Sequence, residues 1–462
     1  MASPPFSTPR IQPDDEVTDA ADASLLGTRS LLRTARAASA NSLTRNSLFM
    51  MGATSTTLGL GYVYWIVAAR RYSIADVGLG GALVSLMTAA SVISALGLHT
   101  SMVQTLPGAD AHTFTRRVNG GLTAAAWTGL AAGAVVVAGL PAVIPEFRVL
   151  WHDPLLGSGL IVGVAAWTAS NVLDYVAIAE RASGNLLTRN TLFAVLKIPF
   201  LLAPLAVAAG ASGIFGSWLI SSLISMLAPM WMLRRRAARY LGFGLASRGT
   251  VAELLRVGAR HHLLNLGNLT PLFVLPILVV GRLSATANAY FYAAWMSGVV
   301  FFMVSANVSQ SLFAEGSHDP GRVRERAKAS ARLIAKLLVP LMLLFVVGGS
   351  TILSAFGPRY VTAGTGLLFV LILSAIPDAV TNVFVAVLRV EHRFALATII
   401  SAGSAVITLA LAWALLPSLG IIGAGWAWLA AQLFGCVVVA ADLIRARRNL
   451  RWQGARKQIA SR

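Results

Sequence analysis

The stretch Arg234–His262, RRRAARYLGFGLASRGTVAELLRVGARHH, decides how the rest of the chain is read. It holds seven arginines, Arg234, Arg235, Arg236, Arg239, Arg248, Arg256 and Arg260, against one acid, Glu253. Six long apolar segments precede it and six follow it, each long enough for the roughly 20 apolar residues that a bilayer core requires. A strongly basic loop between such segments reads as cytoplasmic by the positive-inside rule. Within it Val251, Leu254, Leu255 and Gly258 recur at helical spacing, with Glu253, Arg256 and Arg260 on other faces. That is the pattern of a short amphipathic helix lying on the membrane surface. The plainer reading is a solvated connector. Either way the stretch divides the chain into two halves.

Working outward, the chain expected from this reading has five parts: a disordered cytoplasmic tail over 1–44, a first six-helix bundle over 45–233, the basic linker over 234–262, a second six-helix bundle over 263–443 and a basic tail over 444–462. Composition agrees. Of 462 residues 56% are hydrophobic and only 12% charged, about half the charged fraction of an ordinary soluble domain, and mean hydropathy is +0.71. The net charge of +19 falls between apolar spans, so topology and anionic lipid account for it, and no nucleic-acid partner is expected. The N-terminal tail has no basic start followed by an apolar run, so it does not read as a signal peptide. Cys436 is the only cysteine, which excludes an internal disulfide and any cysteine-based metal site.

The twelve expected spans are 47–69, 77–104, 121–144, 155–178, 190–210, 213–233, 263–281, 288–312, 333–356, 365–388, 394–416 and 420–443. With both termini and the linker inside, the inner segments hold 30 lysines and arginines. The outer loops hold five, Arg70, Arg71, Arg148, Arg282 and Arg359, while Lys197 and Lys336 lie within spans. The opposite orientation would put the excess outside. The outer loops are all short, which leaves no room for an extracytoplasmic domain.

The halves repeat with an offset of 211. Arg71 falls on Arg282, Ser73 on Ser284, Ser170-Asn171-Val172 on Thr381-Asn382-Val383, Glu180 on Glu391, and Arg234 on Arg445. Before the last span the register is read as slipping by four, so that Gly213-Ile214-Phe215-Gly216 meets Gly420-Ile421-Ile422-Gly423. Six spans per half is an even number, so the two bundles insert the same way up, as parallel repeats. The fold class expected is an all-α polytopic membrane protein of about twelve transmembrane helices in two parallel six-helix bundles.

Ionisable side chains inside spans are costly and mark function by default. Lys336 lies about 6 Å past Arg332 and can snorkel. Asp174 is about 9 Å deep and Lys197 about 12 Å deep on consecutive antiparallel spans, so a mutual ion pair is expected, structural or functional. Asp378 follows Pro377 and lies about 16 Å from Arg389, near the midplane. It is read as pairing across the cleft with Lys197, as taking and releasing a proton, or as holding a buried structural hydrogen bond. Asp378 and Asp174 are thus the ion-coupling candidates. Asn171, Asn382, Asn265, Asn268, Asn307, Gln310 and Gln432 add polar groups to the spans, either as interhelical hydrogen bonds or as the lining of a wet cavity. No phosphate-binding loop, HExxH or metal-ligand cluster occurs, so neither an enzyme nor a cofactor is expected.

Four stretches carry a family resemblance: VAARRYSIADVGLGGALVSL at 67–86, SALGLHTSMVQTLP at 94–107, GRLSATANAYFYAAW at 281–295 and SQSLFAEGSHDPGRVRERAKASARL at 309–333. Their order and spacing resemble the polysaccharide transporter, or Wzx-type flippase, branch of the multidrug/oligosaccharidyl-lipid/polysaccharide (MOP) exporter superfamily. The resemblance covers about Asn41 to Arg448. It implies a MATE-like fold, two bundles facing across a cleft, and alternating access in a bacterial plasma membrane. It also implies a substrate, an oligosaccharide on polyprenyl pyrophosphate moved to the outer leaflet. Membrane lipids, a polysaccharide polymerase and glycosyltransferases are the partners that go with it.

An anionic pyrophosphate needs cations in the cleft. Lipid II flippases of the same superfamily carry arginines within the first two spans; here Thr54, Ser55, Thr56 and Thr57 stand in the first. That leaves Arg70, Arg71, Arg282 and Lys197 as the anion contacts, with Asn171 and Asn382 beside them. An ion-coupled drug or cation antiporter of the same superfamily would want several cleft carboxylates. A membrane polymerase or ligase would want a large outer loop.

Overall fold

The computed structural model describes residues 57–236, 239–318 and 320–460. Expectations for the tail over 1–44 and for Thr54, Ser55 and Thr56 fall outside them, as do the side chains of Asn265 and Asn268. Among the described residues the chain is all-α. Helix α1 covers 57–71. It is followed by α2 (Ile74–Ser94), α3 (Leu98–Thr105), α4 (Ala111–Val143), the short α5 (Val149–His152), α6 (Pro154–Ala179), α7 (Ser183–Leu202), α8 (Pro204–Ala208) and α9 (Ala211–Arg236). The second half comprises α10 (Arg248–Arg282), α11 (Ala285–His318), α12 (Val323–Ser354), α13 (Pro358–Val390), α14 (Phe394–Leu419) and α15 (Ile422–Ala460). Where they are described, the expected spans fall on helix, except that 77–104 is broken between α2 and α3 and 190–210 between α7 and α8. Nine helices among the described residues are long and apolar enough to cross a bilayer, where backbone groups must be satisfied within the segment. Large apolar side chains face outward, Leu155, Leu205 and Val347 being more than four-fifths exposed. On an ordinary soluble surface so many would be anomalous; on a polytopic membrane protein they meet lipid.

Local chemistry sets the helix ends, and it repeats between halves. Ser73 caps α2 by accepting from the Asp76 backbone N–H, and Ser284 caps α11 by accepting from Ala287. Helix α6 ends with Arg181 at φ +54° and α13 with His392 at φ +57°. After each, a backbone N–H reaches back five residues, Ala182 to the Ala177 carbonyl and Arg393 to Leu388, the Schellman closure. All of these pairs obey the 211 offset. The last loops correct the expected slip of four. Gly210 (φ +57°) and Gly420 (φ +61°) both hold positive φ, and the carbonyl of each accepts from the N–H three residues on, that of Gly213 and of Gly423. A Cβ at Gly213 would run into the Ala206 carbonyl, and one at Gly423 into that of Leu415. The structural match is therefore Gly210-Ala211-Ser212-Gly213 with Gly420-Ile421-Ile422-Gly423, a slip of a single residue. Positive φ and close backbone approach, two demands only glycine meets cheaply, override the apparent match of side chains.

One end of the bundles carries most of the arginines of the connecting segments and is termed the basic end; the opposite end carries Arg70, Arg71, Arg148, Arg282 and Arg359. The halves are joined firmly at the opposite end. Helix α2 lies so close on α11 that a Cβ at Gly78 would run into the Ala285 carbonyl, and Asn288 Nδ2 donates to the Gly78 carbonyl at 2.7 Å. Tyr64, Trp65 and Val77 of the first half share one core with Leu275, Phe291 and Trp295 of the second. The amphipathic pattern at Val251–Gly258 is borne by α10, but its apolar face meets protein rather than lipid headgroups or water. Leu254 is fully buried beside Leu98, Met102 and Val118, and Gly258 touches Gly97 backbone to backbone. A single helix thus starts against the first bundle and ends in the second, packed on α14.

Candidate functional site

Two buried charged centres face different surroundings. In the first bundle, Lys197 on α7 is 1% exposed. Its ammonium lies 5.1 Å from the ring centroids of Tyr64 and Phe193 and 4.8 Å from that of Trp218. These rings come from α1, α7 and α9, and Trp167 of α6 packs outside them, edge-on to Phe193 at 5.4 Å and tilted against Trp218 at 5.9 Å. Phe193 and Lys197 are four apart, so one helix face presents both. The ring faces attract the cation. Among the described residues no carboxylate pairs with it.

The expected Asp174–Lys197 pair does not form. Asp174 instead pairs with Arg189 at 2.7 Å, both largely buried. The antiparallel register of α6 and α7 explains the correction. Arg189 lies eight residues before Lys197, nearer the turn that joins the helices, and so comes level with Asp174. Lys197 is carried past it into the rings. Near the same turn Arg239 pairs with Glu180, donates to the Ala109 carbonyl at 3.0 Å and stacks on Phe114 at 4.5 Å.

In the second bundle, Asp378 on α13 is 6% exposed. Its Oδ2 accepts from Ser305 Oγ at 2.5 Å and Asn382 Nδ2 at 2.9 Å, and Asn382 also donates to Ser305 at 3.0 Å. Asp378 does not pair with Lys197 across the cleft. It is instead held by hydrogen bonds from Ser305 and Asn382. Asp378 lines a cavity of about 290 Å³ together with Thr381, Asn382, Arg389, Gln432 and Trp428. Residues 378, 382, 385 and 389 form one stripe of α13, a pattern legible in the sequence although Arg389 was read there only as a marker of depth. Ser305 had no such signal.

The expected anion contacts are dispersed. Arg70 donates from Nε to the Ala355 carbonyl and from Nη2 to that of Ser354, both at 2.8 Å. It therefore caps the end of α12, where the helix dipole favours a cation, and ties the two halves at the opposite end. Arg71 is exposed. Arg282, at the equivalent end of α10, stacks on Trp413 at 4.3 Å. Asn171 is half-buried on α6, and Asn382 belongs to the Asp378 cluster. The structure brings Asn382 and Asp378 together and leaves the other candidates apart.

Solved structures share this architecture. An inward-facing multidrug resistance MATE family transporter of the MOP superfamily superposes with a TM-score of 0.68 at 14% identity, over 86% of this chain and 98% of that one. The lipid II flippase MurJ in an inward closed conformation gives 0.69 at 11%, over 86% and 87%. An outward-facing MATE transporter gives 0.56 at 16%, over 88% and 95%. No family model and no curated protein matches the sequence. The chain is a multi-pass, all-α membrane protein with the MATE-like fold of MOP superfamily transporters. At these identities the likeness establishes the fold.

Proposed function

We propose that this protein is an alternating-access flippase, which moves an oligosaccharide linked to polyprenyl pyrophosphate from the cytoplasmic to the outer leaflet of a bacterial plasma membrane for surface polysaccharide biosynthesis. The observation that carries the reading is Lys197. A buried ammonium held by rings, with no carboxylate partner among the described residues, lacks a counter-ion, and a pyrophosphate headgroup supplies one when the ring box opens. For an organic-cation antiporter the same box would be the natural seat of the drug, and here the chain's own lysine fills it.

The closed end supports the direction. Arg70, Gly78 and Asn288 join the halves at the end that charge asymmetry assigns to the outside, and the more similar relatives are inward-facing or inward closed. The termini then lie in the cytoplasm. Arg71 and Arg282, at equivalent helix ends, form the cationic rim that receives the pyrophosphate on exit. Asp378 couples the cycle to protons. Asp174, held by Arg189, serves the fold instead.

The test is genetic and chemical. Deleting the gene should cause lipid-linked glycan to accumulate in the cytoplasmic leaflet, and re-expression should clear it. Wild-type glycan distribution in the deletion strain, with raised sensitivity to cationic drugs, would overturn the proposal in favour of the antiporter.

A further inference from the structure

The cavity of the second bundle has a lining that a proton-coupling role for Asp378 does not by itself explain. It holds one carboxylate, Asp378, one guanidinium, Arg389, and eight neutral polar side chains. Charge therefore balances, which suits neither an organic cation nor an isolated anion. Several hydrogen-bonding atoms are left over. Gln432 Oε1 accepts from Thr381 Oγ1 at 3.1 Å, so its amide nitrogen remains to donate. Asn382 donates twice through Nδ2, so its oxygen remains to accept. Asp378 uses only Oδ2. Ser309 Oγ and Trp428 Nε1 are buried without any partner. Unsatisfied buried groups are rare in native proteins and call for a ligand or ordered water. Here donors and acceptors share the lining with the rings of Trp428 and Phe302, which meet at 5.2 Å.

A ring of hydroxyl groups, each able to donate and accept, complements such a lining, with a C–H face for these two rings. Arg389 stands at the other end of the cavity, eleven residues along α13 and hence about 16 Å from Asp378. It stacks on Phe313 at 4.0 Å with its planar fork available to a phosphate. We propose that this cavity binds the sugar next to the pyrophosphate, with Gln432 and Asn382 reading its hydroxyls and Arg389 pairing with the phosphate. The volume of about 290 Å³ sits at the low end of ligand pockets. It admits one sugar and its phosphate and leaves the remaining glycan outside, so the pocket selects on the first sugar alone. The second bundle becomes the specificity half. This rests on the flippase reading.

The experiment measures equilibrium binding to the purified protein in lipid nanodiscs. The probes are a short-chain prenyl pyrophosphate bearing one sugar, from a panel of hexoses and N-acetylhexosamines, and the same lipid without sugar. The wild type should bind at least one glycosylated probe about tenfold more tightly than the bare lipid. Gln432→Leu should abolish that preference while leaving affinity for the bare lipid unchanged, which also reports an intact fold. Arg389→Gln should weaken both probes about tenfold, with Gln432 still conferring the preference. Equal affinity of the wild type for every probe, or a preference that survives in Gln432→Leu, would overturn the assignment. Either result would leave the accumulation test in cells standing, so the two proposals fail separately.

Discussion

The two bundles follow one plan, yet their interiors are opposite in chemistry. By the 211 offset, Lys197 corresponds to Thr408 and Asp378 to Trp167. The position that holds a cation in the first bundle holds a hydroxyl in the second. The position that holds a carboxylate in the second holds a ring in the first. The packing differs as well. At the basic end the first bundle is filled by Leu98, Met102, Phe114, Val118 and the incoming Leu254. Among the described residues the second has the small cluster of Leu388, Ala397, Ile400 and Val439 beside its polar cavity. The caps at Ser73 and Ser284 and the turns after α6 and α13 are symmetric because they are local requirements of the backbone. Side chains facing the interior answer to different neighbours, and the halves have diverged there. The structure thus separates a ring-filled half that holds a charge from a hollow half that can hold a ligand.

The contrast can be broken most severely in the first bundle. Arg189→Ala would strand Asp174 as an unpaired buried charge and should destabilise the protein by about 3–5 kcal/mol. Thermal unfolding in detergent measures this, and the double variant Arg189→Met, Asp174→Leu should recover most of it. A single variant of wild-type stability would mean that the pair contributes nothing to the first bundle.

The seam between halves comes next. Gly78→Val forces a side chain into the Ala285 carbonyl, so α2 and α11 must part. About 1–3 kcal/mol of stability should be lost, in the range for overpacking. A cysteine placed at Ser284 should become more reactive toward an impermeant thiol reagent in a Cys436→Ala background. Unchanged labelling would show that the opposite end is not held by this contact.

Asp378→Asn tests the second bundle with a smaller effect. Shape and most hydrogen bonding persist, and about 1 kcal/mol is expected from the weakened Ser305 bond. Transport should lose its dependence on the proton gradient while the protein inserts normally. Unaltered pH dependence would return Asp378 to a structural role.

The smallest effect on folding is expected at Lys197. Lys197→Met keeps an unbranched apolar stem among Tyr64, Phe193 and Trp218 and removes a buried charge. Stability should stay within about 0.5 kcal/mol of wild type, or rise. Glycan export should nevertheless fall sharply. Retained export would remove the lysine from the anion path and dissolve the contrast between the two interiors.

Most of the architecture was legible in the sequence, because span length, charge asymmetry and the internal repeat are each imposed by the bilayer on the chain locally. The glycine match at the last turns was misread, since φ and backbone approach leave weaker marks than side-chain identity. The candidate site was legible only in part. Asp378 and Asn382 stand four apart on α13, as do Phe193 and Lys197 on α7, and such pairs follow from helix periodicity.

By itself the sequence determined an all-α membrane protein in two parallel halves, and it marked Lys197, Asp174 and Asp378 as charges in need of an explanation. Which partner each one found was decided by tertiary structure. Depth along a helix can be counted from sequence, but rotation about the helix and lateral neighbours cannot. Asp174 therefore met Arg189 rather than Lys197, Arg70 reached the end of α12 some 285 residues away, and Asp378 met Ser305. Hydrophobic length specifies that a helix crosses the bilayer; only packing against the other helices fixes which face it turns inward, and that face carries the chemistry.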